Sequence, residues 1–83
     1  MWFVVAEYLG TLLLIGVIAS VGNPFAIGAA LTAAILAVGK YSGGHFNPAV
    51  TLWALLKKKI STQQAGLHVA AQLAAAVTVW SVV

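Results

Sequence analysis

SGGHFNPAVT, residues 42–51, lies midway along an 83-residue chain that is otherwise almost entirely apolar. Two glycines, a histidine, an asparagine and a proline suit neither a membrane span nor a long helix interior. Asn47 and Pro48 fit a helix start instead, since asparagine is a strong N-cap and proline is favoured at the first helical position. NPAVTLWALL, from Asn47 onward, keeps a helix-compatible pattern for only about half a bilayer thickness, the length of a re-entrant or interfacial segment. The stretch predicts an irregular loop that becomes a short helix inside the membrane.

The flanks supply that membrane context. Residues 2–20 are nearly unbroken apolar, with Glu7 their single charge, and about 19 residues at ~1.5 Å each nearly cover a ~30 Å hydrocarbon core. A cleavable signal peptide fits this stretch badly, because no basic region precedes Trp2 and an acid lies inside the apolar run. VGNPF, residues 21–25, reads as a tight turn: Gly22 and Asn23 tolerate positive φ, and Pro24 stops one helix and can start the next. A second helix is expected at about residues 25–41, the loop and half-helix at about 42–56, and a third span at about 62–83 with Ser61 as N-cap. Residues 1–83 are thus expected to form one unit, an all-α integral membrane fold of three transmembrane helices plus one re-entrant half-helix.

Composition excludes the soluble alternative. The chain is 63% hydrophobic and 6% charged, with a mean hydropathy of +1.06. A soluble domain this small buries only about 60% of its unfolded surface and could not hide so much apolar area. Without cysteine there is no disulfide framework or thiolate metal site. The net charge of +3 is concentrated in Lys57, Lys58 and Lys59, with Lys40 apart. That run signals topology and anchoring to anionic lipid, not nucleic acid, and places the N-terminus and the lysine-rich loop on the cytoplasmic side.

Irregular backbone inside a membrane is tolerated where it is buried in protein or lines a water-filled cavity. Gly43 and Gly44 let the chain run extended and close-packed, so the carbonyls of Gly43, Gly44 and His45 are expected to face a permeant. A half-helix starting at Asn47 aims its positive end, roughly half a charge, at mid-membrane. Acceptors, an amide donor and a cation-repelling field together suit the passage of neutral hydrogen-bonding solutes against cations and protons. No nucleophile–base pair or metal-ligand set stands out, so no enzyme chemistry, cofactor or metal is expected.

On these residues the chain resembles the aquaporins and glycerol facilitators, the major intrinsic protein family. SGGHFNPAVT is similar to that family's first signature loop, AEYLGT (residues 6–11) to the opening of its first helix, and AAQLAAA (residues 70–76) to its third. Family members carry two inverted repeats, each with an Asn-Pro-Ala triplet; here one triplet and one repeat are present. The resemblance implies a passive channel half for water or small neutral solutes such as glycerol. Asn47 would present its amide to the permeant, and Pro48 and Ala49 would pack tip to tip against a second such motif. The carbonyls of Gly43, Gly44 and His45 would form a ladder, and Glu7 would brace the loop. Ile27 falls at a selectivity-filter position commonly aromatic or histidine, which implies a plainer or wider constriction. The filter arginine belongs to the absent repeat, and Ala75 stands where the family often has glycine. The implied partners are membrane lipid and a second repeat of inverted orientation within an oligomer, with no nucleic acid.

Plainer readings stand beside these. Glu7 could be an interfacial acid and His45 a loop-packing residue; His68 and Gln72, four apart on one helical face, are expected to make polar helix–helix contacts. A non-conducting membrane interaction protein, or a truncated channel, that keeps the fold and pairs with full-length channel subunits is the functional alternative.

Overall fold

The computed structural model describes residues 2–83. They form four helices: α1 (Trp2–Ser20), α2 (Pro24–Ser42), α3 (Pro48–Leu56) and α4 (Thr62–Val82). By length and composition α1, α2 and α4 can each cross a membrane, whereas α3, with 9 residues, extends ~14 Å at 1.5 Å per residue and crosses about half of one. The chain is an integral membrane protein built from helices.

Local chemistry sets the boundaries. After α1 the chain turns at Gly22, which takes φ +72° where an L side chain is disfavoured. Asn23 departs from expectation: its φ is −98°, and its side chain accepts a hydrogen bond from the Ala26 amide at 2.8 Å. It serves as an N-cap and not as a left-handed turn residue, so α2 begins at Pro24. At the other end Gly43 closes α2 in the left-handed conformation, its amide donating to Gly39 O at 2.7 Å. Ser61 starts α4 through a reciprocal capping box with Gln64, which satisfies two otherwise orphaned backbone donors.

Packing fixes the directions. Phe3 stacks on His68 and Glu7 bonds to Gln72, so α1 and α4 run parallel; Tyr8 and Thr78 join the same pair at 2.8 Å. The groove between α1 and α2 is lined by Trp2 and Tyr41 together, so α2 runs antiparallel to α1. α3 packs on α4, while α2 and α4 both pack on α1. The interhelical core consists of small residues, chiefly Ala6, Ala30, Ala34, Ala54, Ala71 and Ala75. Small side chains let helices approach closely where lipid supplies no hydrophobic drive to associate. Ala75 is fully buried, so its methyl is accommodated at a close contact where a glycine was the family expectation.

Candidate functional site

The loop between α2 and α3 is not extended. Gly43 has φ +87°, Gly44 +69° and Phe46 +53°, so the chain winds through left-handed conformations, which glycine adopts without steric cost. Phe46 carries a side chain there, and tertiary contacts hold it. Phe46 is 3% exposed, and its ring lies against Gly10 of α1, where a Cβ would come within 2.1 Å of it. Its amide donates to Glu7 Oε1. Gly10 lies eight residues into α1, ~12 Å from its start at 1.5 Å per residue, so the Phe46 ring at the end of the loop reaches toward the middle of a ~30 Å core.

Glu7 is fully buried. Its Oε1 accepts from Phe46 N and from Gln72 Nε2, the latter at 2.7 Å. Gln72 Nε2 also reaches Thr51 Oγ1 at 2.9 Å, and Thr51 Oγ1 lies 2.9 Å from His45 Nδ1. Thr51 accepts from Gln72 and so retains its own hydroxyl hydrogen for the imidazole. One carboxylate, one amide and one hydroxyl thereby join α1, α4 and α3 to the loop. His45 stacks on His68 with ring centroids 4.5 Å apart, and His68 stacks on Phe3 on its other side. His68 Nε2 sits 2.8 Å from Ser42 O and Nδ1 2.8 Å from Gln64 O, so its imidazole ties the end of α2 to α4.

The donors and acceptors left over face elsewhere. Asn47 caps α3 by accepting the Ala49 amide on Oδ1 at 2.7 Å, and its Nδ2 makes no hydrogen bond among the described residues. Asn47, Pro48 and Ala49 are all exposed. Among the described residues no hydrogen bond ends on the carbonyls of Gly43, Gly44 or His45. Three acceptors on residues 43–45 and the amide donor of Asn47 therefore precede a half-helix whose first residues are the exposed Pro48 and Ala49. Ile27 is apart from them, half-buried on the first turn of α2, at the end of that helix remote from the loop.

Glu7, His45 and His68 bring possible ligand atoms within 4.8 Å of one another. Both nitrogens of His68 already meet carbonyls, and His45 Nδ1 meets Thr51. Glu7 Oε2 and His45 Nε2 are left, fewer than the three protein ligands of a zinc site. The arrangement is a hydrogen-bond network that holds a loop. Thr11, Ser42 and Thr51, all buried, belong to this interior and were not distinguished by sequence reasoning. A lone hydroxyl in an apolar helix carries no pattern, although Thr51 stands four residues after Asn47 and thus one turn along the same helix.

The sequence model of the family described as Major intrinsic protein matches residues 2–83. The Glycerol uptake facilitator protein-like 6 of Lactiplantibacillus plantarum is 38% identical over 81 residues, covering 87% of this chain and 38% of that protein. The Lens fiber major intrinsic protein of Gallus gallus is 39% identical over 82 residues, covering 84% and 31%. Aquaporin-2 of Equus caballus is 37% identical over 86 residues, covering 89% and 79%. No solved structure matches the chain. The chain spans roughly a third of the length of the first two relatives, 38% and 31% respectively. With three apolar spans, a half-helix and a match over residues 2–83, the chain belongs to the major intrinsic protein family.

Proposed function

We propose that the chain forms one half of a passive membrane channel for water or small neutral solutes of the glycerol type, without enzyme chemistry. One observation carries this reading: among the described residues the carbonyls of residues 43–45 accept no hydrogen bond, and they stand beside an asparagine whose Nδ2 likewise has no partner. Such groups are costly in lipid, and a file of hydrogen-bonding permeants satisfies them. The N-terminus of α3 adds a positive field at that point, which opposes cations and protons. Glu7 braces the loop through Phe46 N and Gln72. Ile27 contributes an aliphatic wall at the selectivity position, which favours a wider constriction that admits glycerol.

The other half of the path comes from a second Asn-Pro-Ala repeat of inverted orientation, packed on the exposed Pro48 and Ala49, within an oligomer. Lys40 and Lys57 to Lys59 hold their end of the chain, with the N-terminus, on the cytoplasmic side against anionic lipid. The test is stopped-flow light scattering on proteoliposomes under sucrose and then glycerol gradients. Reconstitution from detergent that leaves both orientations in one bilayer puts inverted copies on offer. The expected result is shrinkage faster than empty liposomes in sucrose, followed by reswelling in glycerol. Fast shrinkage without reswelling would remove glycerol from the substrate class. Shrinkage at the empty-liposome rate would favour a non-conducting partner of other channels.

A further inference from the structure

The four lysines have one possible counter-charge within these 83 residues, Glu7, and Glu7 is fully buried on the Phe46 amide and Gln72. Their charge must be balanced from outside the chain. Two of the lysines rest on aromatic rings: Lys59 Nζ lies 4.7 Å from the centroid of Trp53, and Lys40 Nζ 5.1 Å from that of Tyr41. The Lys40 pair differs in what lies beside it. Tyr41 lines a groove of about 380 Å³ between α1 and α2, together with Trp2, Val5, Ala6, Leu9 and Val38. The side chains lining the groove other than Trp2 and Tyr41 are aliphatic, and those two rings stand at its mouth, 76% and 52% exposed. From Trp2 to Leu9 the groove follows α1 for ~10 Å at 1.5 Å per residue, about two thirds of one leaflet of a ~30 Å core.

We infer that this groove is a binding site for an anionic phospholipid. One acyl chain lies along Val5, Leu9 and Val38, and the phosphate is held at the mouth by the Lys40 ammonium. The aromatic face beneath Lys40 spreads part of its charge and holds the side chain near the mouth, while the ammonium's remaining N–H groups stay available to phosphate oxygens. Trp2 and Tyr41 occupy the headgroup level that such rings prefer. The charge selects the lipid: a zwitterionic headgroup fits the groove as well but brings no net charge to balance Lys40. The site requires that the chain span a bilayer, and it is independent of conduction.

Trp53→Phe with Trp80→Phe leaves Trp2 as the single tryptophan, a reporter at the groove mouth. Its quenching is measured in phosphatidylcholine vesicles containing acyl-brominated phosphatidylglycerol or acyl-brominated phosphatidylcholine at equal mole fraction. About fivefold preferential occupancy by the anionic lipid is expected, the effect of one lysine near a membrane surface. That ratio should fall toward one in Lys40→Gln and in about 1 M salt, and should persist in Lys59→Gln. Equal quenching by the two lipids overturns the site. An equal loss in Lys59→Gln overturns it too, because the preference would then belong to general surface charge. Absence of quenching by both lipids would also overturn it, because protein, such as a second copy, would then cover the groove. Native mass spectrometry of the unsubstituted chain and of Lys40→Gln with mixed lipids gives the same comparison without tryptophan changes: retained phosphatidylglycerol that depends on Lys40 supports the site, and retention independent of it overturns the site.

Discussion

Glu7 and Gly10 show how much of the loop depends on single atoms of α1. Oε1 of Glu7 takes two donors in a fully buried position, and hydrogen bonds to charged groups contribute about 1.5–3 kcal/mol each. Glu7→Ala removes both acceptor contacts and strands the Phe46 amide, so a destabilisation of about 3 kcal/mol or more is expected in a denaturant titration of purified protein in detergent. A loss under about 1 kcal/mol would show that the carboxylate does not hold the loop. Gly10→Ala sets a methyl against the Phe46 ring and should cost about 1–3 kcal/mol as overpacking. Gly16→Ala, where a Cβ meets nothing within 4 Å, should be neutral or slightly stabilising, because alanine is the better helix former. Equal effects at the two glycines would contradict the close approach of Phe46. The acid was legible in the sequence because a lone charge in an apolar span stands out. Its second donor was not: three alternating spans make α1 and α4 parallel, but nothing in the spacing of Glu7 and Gln72 fixes their register.

At the scale of elements, helix starts were the most legible features. Pro24, Pro48 and Ser61 each mark one, and proline at the first helical position and serine at the cap act locally, so they need no tertiary context. The backbone of the loop was less so. Gly43 and Gly44 announced freedom but not its use, and the left-handed winding depends on Phe46 being held at positive φ by α1. Asn47 has two separable duties, capping α3 through Oδ1 and offering Nδ2. Serine caps about as well as asparagine but has no amide. Asn47→Ser should therefore leave stability within about 0.5 kcal/mol by the same titration while lowering solute flux in proteoliposomes. Asn47→Ala should lower stability by about 1 kcal/mol as well. If serine and alanine were equally destabilising, the cap would not be the structural duty of this residue.

For the whole molecule, the three spans and the half-helix follow from hydropathy and length, and the cationic end from the lysine run. The sequence does not show how the loop is suspended: Gln72, Thr51, His45 and His68 are scattered over two helices and the loop, and only folding joins them. Neutralising Lys57, Lys58 and Lys59 together as glutamine should weaken the orientation bias, raising the share of chains with an outward N-terminus in a protease-protection assay. An unchanged share would shift the topology signal to Lys40 or to flanking sequence. Whether the loop at Asn47 lines a path for neutral solutes is decided by the osmotic shrinkage rate of proteoliposomes with the unsubstituted chain and with Asn47→Asp, both present in both orientations. Aspartate keeps the cap and replaces an amide donor by a negative charge at the half-helix end. A rate above that of empty liposomes is expected for the unsubstituted chain, and a clearly different one for Asn47→Asp at equal protein content. Equal rates for the two, with insertion verified, would show that the loop does not line the path.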